Sequence, residues 1–180
     1  MKSYSLDYKE NKNKKVFLLF DQRHFTQILP IVKSYPAQDV EIIPLDTYSL
    51  KRAKESGYRF TCPKYRDKIM IRQRLLRRMP FFIKAWGEAS INGLKLKRCL
   101  KVKETDLWEV LKCEIGILLF DKLYFLELVK FLLIRSRAKY LILPQYPSLV
   151  QLTYLTKISR RTILNLAESI GMKVINKVRL

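Results

Sequence analysis

The rhythm of apolar segments constrains this chain more than any motif. Between residues 15 and 60 it runs KVFLLFD, a helical stretch, DVEIIPLD, a second helical stretch, and YRF. Lys15–Asp21 is almost continuously apolar, the pattern of a strand covered on both faces. In Arg23–Tyr35, Phe25, Ile28, Leu29 and Val32 recur at helical spacing, and Pro36, two residues beyond Ser34, ends the pattern. Residues 39–46 predict a second strand, with Pro44 tolerated only at its end because proline has no N–H for a ladder. Tyr48–Ser56 predicts a second helix capped by Gly57, followed by a brief third strand at Tyr58–Phe60. A β-α-β-α-β order implies parallel strands with helices on the sheet faces, so the expected class is α/β, a Rossmann-like three-layer domain with a mostly parallel sheet.

The middle of the chain departs from this rhythm. Tyr65–Met79 predicts a helix with Ile71, Leu75, Leu76 and Met79 on one side, where Lys68 and Arg72 intrude. Residues 86–102 contain Gly87 and the turn pair Asn92-Gly93 and read as irregular. Glu104–Ile134 predicts one long helix or two consecutive ones, with Leu107, Val110, Leu111 and Leu118 toward the core and Gly116 marking a bend. The strand pattern returns at 139–144, and Ser148 reads as the N-cap of a helical stretch that breaks near Ser159. Ser159 is an N-cap candidate for a helix with Ile163, Leu166, Ala167 and Ile170 on one face and Gly171 as C-cap, before a last strand at 172–178. With 180 residues the expectation is a flexible polar lead-in over 1–14 and one α/β domain over 15–180, carrying a helical, basic insertion.

Charge sets the expected partners. The chain carries 36 Lys and Arg against 16 Asp and Glu, a net +20, and +11 of that excess falls within residues 61–103. Anionic surfaces are therefore the first class of partner. An apolar fraction of 48% argues against disorder, which combines high charge with low hydrophobicity. Cys62, Cys99 and Cys113 are too far apart for a zinc site and too few for a disulfide framework, which fits a reducing, cytoplasmic setting. The first fifteen residues have no apolar core of a secretory signal. Residues 115–134, the most apolar stretch, contain Asp121, Lys122, Glu127 and Lys130, which argue against a membrane span.

Several chemistries lack their parts. There is no GxGxxG or GxxxxGK[ST] loop to cradle phosphates, no HExxH, no GxSxG and no histidine besides His24. No cofactor and no metal ligand set is expected. What remains is the crevice that an open α/β sheet forms beyond the carboxyl ends of its strands. Asp21, Arg23 and His24 follow the first strand there, and Asp46 follows the second. Gln145, Tyr146 and Ser148 follow the strand at 139–144. His24 could serve as a general base oriented by Asp21 or Asp46, or simply be a polar residue that opens a helix. Ser148 reads most simply as a cap, with a ligand contact as the alternative. Arg160 and Arg161 occupy the first turn of a helix, where the dipole disfavours cations unless an anion or carboxylate meets them.

The basic segment interleaves Arg72, Arg74, Arg77 and Arg78 with Phe81, Phe82 and Trp86. Cations with aromatic side chains suit an anionic membrane surface, the aromatics entering the interface and the cations meeting head groups. They also suit nucleic acid, through phosphates and base stacking, and a merely solvated basic face would look the same. The stretch from Tyr154 to Val174 has some likeness to a helix-turn-helix. Its flanking strand-like segments fit a β-α-β frame better.

In its order of elements, KVFLLFDQRHFTQILPIVKSY, DVEIIPLD, GYRF, a long helical middle and AKYLILPQYPS…SRRTILNLAESIGMKVI, the chain resembles the N-terminal half of two-domain glycosyltransferases of the GT-B fold and the related sugar-nucleotide 2-epimerases. That resemblance implies an acceptor-binding domain working near a membrane on cell-surface or lipid-linked saccharide, with a base in the turn after the first strand, which is where His24 stands. The family's glycine-rich first turn is replaced here by DQRHF. The nucleotide-sugar domain is expected on a second chain, and the expected location is cytoplasmic, peripheral to the inner face of the membrane. A non-enzymatic, basic nucleic-acid-binding adaptor is the alternative.

Overall fold

Strand by strand, the apolar runs form the expected layers. In the computed structural model residues 13–20, 22–103, 105–145, 148–151 and 157–175 are described. Strand β1 (Lys15–Leu19) leads into helix α1 (Gln22–Lys33), and β2 (Val40–Pro44), α2 (Thr47–Glu55) and β3 (Arg59–Phe60) follow. Helix α3 (Tyr65–Gly87) comes next, then β4 (Ser90–Ile91), β5 (Leu94–Lys95), the short α4 (Leu96–Cys99), β6 (Lys101–Val102) and β7 (Thr105–Asp106). Helix α5 (Leu107–Ser136) precedes β8 (Tyr140–Ile142), β9 (Ser148–Gln151), β10 (Lys157–Ser159), α6 (Arg160–Ser169) and β11 (Lys173–Val174).

Five of these strands make one sheet in the order β11-β8-β1-β2-β3, and every pairing within it is parallel. The fold is Rossmann-like α/β, as the pattern predicted. One sheet face packs Phe17, Leu19, Val40, Ile42 and Ile142 against Ile28, Ile31 and Val32 of α1 and Ala53 of α2. The alternate residues Val16, Leu18, Ile43 and Leu141 are buried as well, on the other face. Right-handed crossovers put α6 and the end of α5 on that face, where Leu132, Leu133, Ile163 and Ala167 are buried.

Pro44 sits where the chemistry allows it. It is the last residue of β2, opposite Leu19. The next amide, Leu45 N–H, donates to the Leu19 carbonyl at 2.9 Å. Since successive amides point to opposite sides of a strand, the missing Pro44 N–H faces β3, which has ended at Phe60. The caps also match expectation: the Ser159 hydroxyl accepts from Thr162 N–H at 3.2 Å, and Gly57 and Gly171 adopt φ of +73° and +79° after their helices.

Several expectations need correction. Leu76 of α3 and Val110 and Leu111 of α5, expected on the packed sides of their helices, are exposed. Helix α3 does not stop at Met79 but runs on through Pro80 to Gly87. Its apolar face continues past the proline, and tertiary packing outweighs the hydrogen bond lost there. Residues 90–95 are a hairpin rather than an irregular loop: Ser90 and Ile91 pair with Lys95 and Leu94, and Asn92 and Gly93, at φ of +50° and +81°, form the turn. Helix α5 is continuous through Gly116, which marks a close approach instead of a bend. A Cβ there would lie 2.9 Å from Ile83 Cδ1 of α3. Ser148 begins strand β9, not a helix. Leu149 and Val150 favour extended backbone, and that preference prevails over the capping tendency of serine.

The chain divides into two compact units. One comprises residues 1–62, 129–150 and 159–180 and contains the five-stranded sheet, and the other comprises 63–128 and 151–158. In the second unit α3 buries Ile71, Leu75, Met79 and Gly87, and the first part of α5 runs close beside it. Arg74 of α3 reaches Glu127 of α5 at 2.7 Å.

Candidate functional site

The sheet reverses direction of growth between β1 and β8, with β2 and β3 on one side and β11 on the other. Beyond the carboxyl ends of these two strands lies the crevice in which open α/β sheets bind ligands.

Its floor is the β1–α1 turn. Phe20 N–H donates to His24 Nδ1 at 3.2 Å, and the two rings meet edge to face, 5.7 Å apart at 86°. His24 is 0% exposed. Asp21 lies outside the described residues, so its predicted partnership with His24 is not described. A general base must come within hydrogen-bond reach of the proton it removes. As placed, His24 lies beneath the crevice and works as a backbone acceptor, closing the turn that aims α1. Arg23, its neighbour in the first turn of α1, is exposed.

Two bonds that sequence reasoning missed shape the rim. Gln145 N–H, just past β8, donates to Gln27 Oε1 of α1 at 3.0 Å. Arg160 Nε donates to the Pro144 carbonyl at 3.1 Å. The second bond resolves the conflict between Arg160 and its helix dipole: the guanidinium turns back to a strand-end carbonyl of partial negative charge. No sequence pattern signals either bond, because their partners are 118 and 16 residues apart.

Asp46 stands at the carboxyl end of β2, as predicted, and is the N-cap of α2, with Oδ1 accepting from Ser49 N–H at 3.0 Å. Its other oxygen, Oδ2, is buried and has no hydrogen-bond partner. The side chains of Ser148 and Tyr146 are outside the described residues. Arg23, Gln27, Gln145 and Arg160 therefore gather at the β1–β8 switch point, while Asp46 belongs to the adjoining strand end. Hydrogen-bond donors with a surplus of cations fit a hydroxyl-rich or anionic ligand. A separate groove of about 520 Å³ lies between α1 and α2, lined by Phe25, Leu29, Arg52 and Tyr58. It opens near Ala37 and Gly57, toward the amino ends of the strands.

In the second unit Arg72, Arg74, Arg77 and Arg78 are all exposed. Phe81 is 74% exposed, Trp86 43%, and Phe82 half-buried. Arg74 is committed to Glu127. Burial pushes the Tyr124 phenol up, and the positive charge of Arg72 offsets part of that rise. Farther along, Lys95 reaches Glu88 at 2.6 Å and Lys97 reaches it too. Those two ammonium groups hold the Glu88 carboxyl at about 2, against an ordinary 4.5.

Among the described residues no group of His, Cys, Asp and Glu is placed to hold a metal ion, and no helix is long and apolar enough to cross a membrane. Neither a protein-family model nor a curated protein nor a solved structure matches this chain.

Proposed function

We propose that the chain is the acceptor-binding half of a GT-B-like glycosyltransferase acting on cell-surface or lipid-linked saccharide, with the nucleotide-sugar domain contributed by another chain. The observation that carries this reading is the rim at the β1–β8 switch point, where Arg23, Gln27, Gln145 and Arg160 gather around the carboxyl ends of a parallel sheet. Arginine suits a diphosphate link, and amide groups suit sugar hydroxyls. The absence of a glycine-rich loop from the sequence fits a half that does not hold the nucleotide. In this reading His24 is a positioning residue: it fixes the turn that presents Arg23.

Calorimetric titration of the full chain in detergent tests it, with a polyprenyl-diphosphate-linked saccharide in one arm and a nucleoside-diphosphate sugar in the other. Saturable binding of the first alone, weakened by Arg23→Ala and Gln27→Ala, is expected. Binding of the nucleotide sugar, or none of the lipid-linked saccharide, overturns it.

A further inference from the structure

Helix α3 carries more exposed apolar side chain than a solvated helix needs. Tyr65, Ile69, Met70, Leu76 and Phe81 are all exposed. At about 100° per residue, Arg66, Met70, Arg77 and Phe81 fall within about 60° of one another. They lie opposite Ile71, Leu75 and Met79, the residues α3 buries. Ile69 and Leu76 lie farther round the helix, about 60° and 80° beyond Arg66, and Leu76 is about 140° from Phe81. The helix thus has one packed face and, opposite it, an open stripe with Met70 and Phe81 along one side and Arg66 and Arg77 along the other. Exposed apolar side chains beside cations mark an interaction site.

The cations on α3 are not equivalent. Arg74 points to Glu127 and so turns toward α5. Arg66 and Arg77 belong to the open stripe with the apolar side chains. An occupant must therefore offer negative charge and, in the same plane, room for aliphatic as well as aromatic groups. Nucleic acid supplies phosphates and stacks on aromatic rings, but gives Met70 no apolar medium. An anionic bilayer supplies both: acyl chains take the apolar side chains while the arginines stay at head-group level.

We infer that the open face of α3 docks on an anionic lipid bilayer, lying along the interface with Met70 and Phe81 inserted and Arg66 and Arg77 against the head groups. This rests on α3 alone and is independent of saccharide binding.

The test is cosedimentation of the full chain with vesicles of phosphatidylcholine alone or mixed with phosphatidylserine, neither containing saccharide. Partitioning is expected only to the mixed vesicles. Each lost charge should weaken it about fivefold, so Arg66→Gln/Arg77→Gln should lower it about 25-fold. Met70→Ser/Phe81→Ser should release the chain even at low salt. The equally exposed pair Lys51→Gln/Lys54→Gln on α2 removes the same charge and should change partitioning less than twofold. Equal binding to both vesicle types overturns the inference, and so does equal loss from the two charge pairs. Retention of duplex RNA or DNA without vesicle binding does so too. Circular dichroism of each variant separates lost docking from lost folding.

Discussion

The Lys14 ammonium lies 2.5 Å from the Glu41 carboxylate, with the two side chains only 16% and 7% exposed. The same ammonium donates to the Ser136 carbonyl at 2.7 Å, and Glu41 also accepts from the Thr61 hydroxyl. One buried charge pair thus ties the entry to β1 to β2, to the chain just beyond β3 and to the last turn of α5. Removing one partner of a buried pair costs far more than the pair contributes, because the survivor keeps its desolvation penalty. Lys14→Met should therefore destabilise the chain by about 3 kcal/mol, read from urea unfolding. Lys14→Met/Glu41→Leu should recover most of that loss. A double variant no more stable than the single one would contradict this account.

His24 offers a second measurement, on the question the sequence raised most sharply. Its Nδ1 is the acceptor for Phe20 N–H, and loss of a buried acceptor costs about 1–3 kcal/mol. His24→Ala should lose at least that much, with the cavity adding to it. His24→Asn keeps an acceptor on a short side chain and should lose less. If the saccharide transfer proposed above follows stability across the two variants, His24 positions the turn. If His24→Asn is stable but inactive, the ring does chemistry.

The contrast between β1 and His24 shows what was legible in the sequence. Strand β1 was readable because Val16, Phe17, Leu18 and Leu19 are all buried, and double-sided burial leaves a continuous apolar run. The caps at Ser159 and Gly171 were readable because they depend on neighbours within one turn. His24 was placed at the right turn, yet its burial depends on how that turn folds under the rest of the domain. Gln27 with Gln145, and Lys14 with Glu41, depend on segments brought together by the sheet. The path of α3 beyond Met79 was hidden because it depends on packing along its far half, where Gly87 is buried.

Asp46 separates a cap from a ligand contact. Its Oδ1 caps α2 through Ser49 N–H, and replacing a capping side chain by alanine costs about 1 kcal/mol. Asp46→Ala should lower the unfolding midpoint accordingly, while Asp46→Ser should retain it. Saccharide affinity measured on Asp46→Ser then reads the carboxylate alone. Unchanged affinity would limit Asp46 to holding α2.

Glu88 gives the clearest expectation for pH. Lys95 first, then Lys97, holds its carboxyl at about 2 in the folded chain, against an ordinary 4.5. A depressed carboxyl stabilises the fold above its unfolded value. That contribution should be intact above pH 4.5 and vanish as pH falls toward 2. The residues it joins are the end of α3, the β4–β5 hairpin and α4, so loosening should begin there, seen as a lower protection factor for the Gly93 amide once its exchange is referred to the intrinsic rate at each pH. Because the group is exposed, salt should mimic part of the effect. Glu88→Gln should remove the pH dependence of that protection factor between 4.5 and 2.

Gly87 was a loop signal in the sequence and is a contact in the structure. It is buried in the last turn of α3, and a Cβ there would lie 2.7 Å from Trp108 Cζ2 and 3.0 Å from Cε2. Trp108 is itself 7% exposed, so the indole has little room to withdraw. Two effects oppose each other in Gly87→Ala: helix propensity gains about 1 kcal/mol, while overpacking costs about 1–3 kcal/mol. Steric cost should prevail, because the obstructing atoms belong to a rigid ring rather than to a flexible chain end. Thermal unfolding should show Gly87→Ala less stable than the parent chain, with the emission of Trp108 shifted as the ring is displaced. Trp108→Leu frees the space, so adding Gly87→Ala to it should stabilise that variant. A stabilising Gly87→Ala in the parent background would mean that α3 and α5 separate easily at this point.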